Sequence, residues 1–334
     1  MTAPGVIRVN QTIRFLAGVV TALVAMSAPV QAEPAAFPNK AVTLVVPFTS
    51  SSGSDIIARI VAPKLAQRWG QPVVVDNKPG ASGNLGAQQV ATAAPDGHTL
   101  LLAINTFTMT PAIYKKMPFD PIADFAPVAK LAEASFVFAV NPGVPANDMK
   151  SLVAYAKLHP GKLNYATPGN ATPQHLAMEL LKSDTGIDVV HVPYKGISGA
   201  ITDLMGGQVQ MMFATVHSMR PHAQAGRVRL LAVTGEKRSA FAPDVPTFKE
   251  QGIGIMDGVD AWFAVLAPAR TPPDVVARLN RDFVSVLNSE EVKESLEKQG
   301  LVVRTSSSVE LGTRLKEDLA RWKRVVANAK ITLD

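Results

Sequence analysis
The sequence predicts a two-lobed α/β protein, and three observations carry that expectation. Short β-branched runs alternate with helical patterns, which is the signature of a parallel sheet covered on both faces. The alternation restarts after residue 138. At 334 residues, 47% of them hydrophobic, the chain is long enough for two cores and too apolar for general disorder.

The first segment speaks to compartment. Arg8 and Arg14 precede an uncharged stretch, residues 15–28 (FLAGVVTALVAMSA), which leads to Pro29 and the small-x-small pattern Val30-Gln31-Ala32. This is the layout of a secretory signal peptide over residues 1–32. The stretch is shorter than the roughly 20 apolar residues that span a bilayer. Cleavage after Ala32 removes two arginines and no acid, leaving about +4 of the formal +6. A periplasmic protein is expected. The absence of cysteine excludes disulfides, thiolate metal sites, a cysteine nucleophile and a lipid-anchored cysteine.

Residues 41–46 (AVTLVV) read as a buried strand ended by Pro47. Ser54 and Asp55 are placed to cap a helix that carries Ile57, Ile60, Val61 and Leu65 at helical spacing, with a kink expected at Pro63. Residues 72–76 and 98–104 read as strands around a helix over 83–94. In the second half the pattern gives a helix over 151–158, a strand over 163–166, and a helix capped by Thr172 with Pro173 at its first position. A strand over 188–192, a helix over 198–205 and strands over 209–213 and 229–233 follow. Two apolar segments, residues 135–140 (SFVFAV) and 261–266 (AWFAVL), flank this half and are expected to cross between lobes. Lobe 1 is then discontinuous, 33–137 plus 262–334, and lobe 2 is 138–261. The C-terminal part carries helical stripes at Val276, Leu279, Phe283 and Leu287, and at Leu311, Leu315, Leu319, Trp322 and Val326. Arg314, Lys316, Arg321, Lys323 and Arg324 interleave with Glu317 and Asp318, the pattern of a solvated face; neither it nor the mild net charge calls for a nucleic-acid partner.

No nucleophile elbow, phosphate-binding glycine loop or dinucleotide fingerprint is present. The six histidines are scattered, and His217 and His222 stand five apart, the wrong spacing for a shared helical metal face. Asp120 and Asp124 fall in a proline-rich loop suited to turn roles. Two strand-to-helix loops stand out instead. The first is PFTSSSGSD, holding Phe48, Thr49, Ser51, Ser52, Ser54 and Asp55; the second is YATPGNATPQH, holding Thr167, Gly169, Asn170 and Thr172. Each places hydroxyls and free N–H groups at a helix N-terminus, where an anion is favoured, and neither contains Lys or Arg. In open α/β sheets ligands bind at the carboxyl ends of the strands.

The segments VPFTSSSGSDIIARIVAPKL, HPGKLNYATPGNATPQHLAMEL and VVHVPYKGISGAITDLMGGQVQMMF, with QPVVVDNKPGASGNLGAQQVATAAPDGHTLLL, PAIYKKMPFDPIADFAPVA and APARTPPDVVARLN, resemble the extracytoplasmic solute receptors of tripartite tricarboxylate transporters, the Bug family. The resemblance covers nearly the whole chain after the leader. It implies a type II periplasmic-binding-protein fold, in which two lobes joined by a two-segment hinge close over a small carboxylate and present it to a membrane permease. A monomer with no catalysis, metal or organic cofactor is expected. Ser51 and Ser52 stand in the two glycine places of the family's first loop and add hydroxyls. Ala214 stands where many relatives carry an acid suited to a ligand's amino group. The ligand expected is therefore a mono- or dicarboxylate without an amino group. Asp55 matches the family's loop aspartate and is expected to cap the helix and fix the loop rather than hold ligand. Trp262 and Phe263 fit a hinge, a pocket wall or plain core. Two other functions remain open. An exported hydrolase using Ser51 or Ser52 needs a base and an orienting group that the sequence does not display. A partner that presents its ligand to a signalling ectodomain would share fold and pocket.

Overall fold
The computed structural model describes residues 1–2, 37–50, 52–114, 116–256 and 259–329. Apart from its first two residues, the expected leader lies outside them, as does Ser51. No helix among the described residues is long and apolar enough to cross a membrane.

Residues 37–334 form one compact unit holding two sheets. In chain order the first elements are β1 (Val42–Val46), α1 (Gly53–Trp69), β2 (Val73–Asn77), α2 (Asn84–Ala91), β3 (Thr99–Ile104), α3 (Thr106–Ile113) and β4 (Phe125–Ala134). Then come β5 (Phe136–Val140), α4 (Met149–Leu158), β6 (Asn164–Thr167), α5 (Pro173–Thr185), β7 (Val190–Pro193), α6 (Ile197–Met205), β8 (Met211–Thr215), α7 (Val216–Gln224) and β9 (Arg229–Val233). The chain ends with β10 (Ala261–Pro268), α8 (Pro273–Leu287), α9 (Glu290–Glu297), β11 (Val302–Val303) and α10 (Ser308–Ala329).

One sheet has the order β11-β4-β10-β3-β1-β2 and the other β7-β6-β8-β5-β9. The two share a plan. Each has a parallel trio, β2-β1-β3 or β7-β6-β8, and an antiparallel strand beside the third member of the trio. That strand is β10 in the first sheet and β5 in the second. The chain leaves the first sheet at Ser135, between β4 and β5, and returns over residues 234–260. The flanking apolar segments thus enter different sheets, which is why the sequence pattern restarts between them.

Thr234 pins the two passages together. It is fully buried; its Oγ1 accepts from Phe136 N at 2.9 Å and donates to Asp260 Oδ1 at 2.5 Å. Burial pushes the Asp260 carboxyl up to about 6, against the hydrogen bond from Thr234.

Strand side chains alternate between two dry faces, as near-continuous apolar runs require. Leu44, Val46, Leu100 and Leu102 pack on one face of the first sheet; Val45, Leu101 and Ala103 pack on the other. In the second sheet Phe138, Met211 and Phe213 face one way, and Val137, Ala139, Met212 and Ala214 the other. The C-terminal helices are tied to helix α1 and to strand β10: Trp69 Nε1 donates to Asp282 at 2.7 Å and Trp262 Nε1 to Asp318 at 2.7 Å. Trp262 is therefore core.

Local expectations shift in three places. Helix α1 is capped by Ser52, two residues before the expected Ser54, and it continues through Pro63 to a left-handed Gly70. Strand β4 is an addition; it pairs with β10 and β11, both more than a hundred residues away in the chain. The helices α3, α7 and α9 are likewise additions.

Candidate functional site
The carboxyl ends of β1, β3, β6, β7 and β8 each feed a helix, and the first residues of those five helices meet at one cavity of about 360 Å³. Helix α1 brings Ser52, Gly53 and Ser54; Asn105 precedes α3; α5 brings Pro173 and Gln174; α6 brings Ile197; Thr215, His217 and Ser218 come from the start of α7. The floor is apolar, built from Ile104 of β3, Ala134 and Phe136 at the first passage, and Ala261 and Phe263 of β10. Phe48 and Gln299-Gly300-Leu301 complete the wall. No Lys, Arg, Asp or Glu is among these lining residues. The positive ends of helix dipoles are thus the main electrostatic feature, with His217 the one titratable side chain in the lining.

The first expected loop is braced from behind. Ser52 Oγ accepts from Asp55 N at 3.3 Å and lies 3.3 Å from Ser54 Oγ. Asp55 is 3% exposed; it receives Arg59 Nε at 3.0 Å and Asn77 Nδ2 at 3.0 Å, while Asn77 Nδ2 also donates to Phe48 O at 3.1 Å. Asp55 therefore fixes the loop from beneath, whereas the helix cap itself is Ser52. Phe48, Ser52 and Ser54 line the cavity; Thr49 and Asp55 do not.

The second loop is braced by its own hydroxyls. Thr172 caps α5, accepting from His175 N at 3.4 Å, and both Thr172 Oγ1 (2.8 Å) and Thr167 Oγ1 (3.0 Å) donate to Gly169 O. Thr167 Oγ1 also lies 2.6 Å from His191 Nε2. Behind it His191 stacks between Tyr165 (4.8 Å) and His175 (4.1 Å), and Tyr165 donates to Glu179 at 2.5 Å. Burial, reinforced by neighbouring His175, pushes His191 down to about 4; burial also lowers His175 and raises the Tyr165 phenol. Thr167, Gly169, Asn170 and Thr172 shape this turn, but the residues of α5 that reach the cavity are the next two, Pro173 and Gln174.

Ala214 requires correction. It is fully buried with Val137, Ala139 and Met212, and the strand residue at the cavity is its neighbour Thr215. Strand parity is the cause, since successive side chains face opposite sides. The sequence reading also missed Asn105, His217 and Gln299, which carry no motif and reach the site from three separate stretches of chain.

Two sheets of one plan around a cavity at their strand ends define a periplasmic-binding-protein fold. The chain belongs to the tripartite tricarboxylate transporter receptor family, whose family model, Tripartite tricarboxylate transporter family receptor, matches residues 57–331. It is 39% identical over 283 residues to the UPF0065 protein in gbd 5'region of Cupriavidus necator, covering 85% of each chain. Its fold is similar to R. palustris Rpa4515 with adipate (TM-score 0.79, 33% identity, 89% of this chain and 99% of that one). It is also similar to MatC from Rhodopseudomonas palustris with bound malate (TM-score 0.76, 32% identity, 87% and 100%).

Proposed function
We propose that this chain is a periplasmic receptor that captures a small organic carboxylate without an amino group and delivers it to the membrane subunits of a tripartite tricarboxylate transporter. It works as a monomer of two lobes, divided near residue 135 and within 234–260, that close on the cavity by bending at the Thr234 pin. The observation that carries the reading is the convergence of five helix N-termini on a cavity whose lining includes no Lys, Arg, Asp or Glu. Such a site stabilises a carboxylate through N–H groups, hydroxyls and water. It offers no carboxylate to an ammonium group, whose unpaired burial costs several kcal/mol. That adipate and malate, both amine-free, occupy similar proteins supports the same reading. A hydrolase is disfavoured by the hydrogen bonds of Ser52, which run to Ser54 and to Asp55 N rather than to a base.

The test is a thermal-shift screen of the leaderless protein with aliphatic and aromatic carboxylates, followed by calorimetry. A ligand that binds only the folded state raises the melting temperature in proportion to ln(1 + [L]/Kd). At least one amine-free acid should bind saturably without turnover, with aspartate and glutamate at least tenfold weaker. Tight binding of either amino acid with no response to amine-free acids refutes the reading.

A further inference from the structure
The cavity holds a polar side chain that none of the described residues satisfies. Asn105 is 1% exposed and lines the cavity, and neither its Oδ1 nor its Nδ2 has a hydrogen-bond partner among the described residues. Buried polar groups are nearly always paired, so an amide with both ends open at a cavity wall points to a group that enters from the cavity.

Asparagine at a helix start ordinarily turns its side chain back to accept an N–H of its own first turn. Asn105 cannot, because its backbone is already helical, at φ −57° and ψ −19°, and it makes no side-chain cap. Only its carbonyl serves the helix, accepting from Thr108 N and Met109 N at 3.1 Å each. The carboxamide is left beside the apolar floor. Strand β3 lies between β1 and β10, pairing Leu101 with Val45 and Ile104 with Phe263, so Asn105 stands at the carboxyl end of an inner strand, at the cavity that the start of α1 and Phe263 also line.

We propose that the Asn105 carboxamide is a ligand contact that selects acids carrying a hydroxyl group. The inference rests on the carboxylate-receptor reading and names the second group that the ligand brings. A carboxamide presents one acceptor oxygen and a donor NH2. A hydroxyl satisfies both, donating to Oδ1 and accepting from Nδ2. An ionised carboxylate accepts from Nδ2 and leaves Oδ1 facing negative charge, an ammonium satisfies Oδ1 alone, and a methylene satisfies neither. Which end of the amide faces which way is immaterial, since both are unpaired. The ligand then sets its carboxylate at the helix N-termini, its hydrocarbon over Phe136 and Phe263, and its hydroxyl at Asn105.

The test is calorimetry of the leaderless protein, its Asn105→Leu variant and, as a second variant, Asn105→Ala, with three matched pairs: malate and succinate, 4-hydroxybenzoate and benzoate, lactate and propionate. The unsubstituted protein should prefer the hydroxyl member of at least one pair by tenfold or more. Both variants should lose that preference while their unliganded melting temperatures stay level or, for Asn105→Leu, rise. Removing a structural amide would lower them. Preference retained in the variants, a variant that loses stability without ligand, or acids bound with no hydroxyl preference overturns the inference. The last of these leaves the receptor reading intact, whereas failure of every acid to bind the unsubstituted protein overturns both.

Discussion

The stacked column behind the second loop makes stability depend on pH in a calculable way. His191 is held down to about 4 by burial and by His175, against an ordinary value of about 6.5. Above that ordinary value both folded and unfolded chains carry a neutral ring, and the full stability is present. As pH falls below it, the unfolded state takes up a proton that the folded state refuses until pH approaches 4. Each pH unit across this window removes up to about 1.4 kcal/mol. Two units of acidification would remove roughly 2.7 kcal/mol in full linkage, but the ring keeps contact with solvent, whose screening brings the expected loss to about 1–1.5 kcal/mol. In a chain of this size that corresponds to a fall of roughly 1.5–2.5 °C. His191→Gln removes the proton uptake while keeping a polar group near Thr167. Melting curves of the two proteins from pH 7 to pH 4.5 should diverge by that amount, the unsubstituted protein losing more. His175, lowered in the same sense, remains in both proteins. Parallel curves, or a histidine titration by NMR that places His191 at or above its ordinary value, would refute the reasoning.

Two further outcomes follow from geometry. Gly300 adopts φ +73°, and a Cβ there would lie 2.3 Å from His217 Cβ, so the turn and α7 meet with no room for a side chain. Gly300→Ala should push the cavity walls apart and weaken carboxylate binding at least tenfold by calorimetry, with about 1–2 kcal/mol lost to backbone strain; unchanged affinity would show that this contact is not needed for binding. Ala214→Asp should fail as a specificity switch: it buries an unpaired carboxylate in a dry core at a cost of several kcal/mol. A large drop in melting temperature with no gain in aspartate binding is expected, and a stable variant that gains amino-acid affinity would contradict the placement of Ala214.

The sequence by itself determined most of the strands, the two strand-to-helix loops and the identity of the second helix start. Runs such as residues 41–46 and 72–76 are legible because β-branched apolar residues bounded by Pro have few other uses. Thr172-Pro173 is legible because capping chemistry is local. It also pointed to two apolar runs, residues 135–140 and 261–266, between which the strand–helix pattern restarts, and these runs enter different sheets. Strand β4 was not legible: Pro127, Lys130 and Glu133 interrupt its apolar pattern, and its pairing depends on β10 and β11, far along the chain. The tertiary structure alone decided which residues meet at the cavity. Asp55 carries the loop motif yet faces Arg59 and Asn77, and Ala214 and Thr215 differ by one strand position yet face core and cavity. Asn105, His217 and Gln299 have no local signature, because a binding wall is assembled from strand ends distant in sequence. A side chain's role there depends on which face it presents and on what its backbone leaves unpaired, and both are fixed only when the sheets have packed.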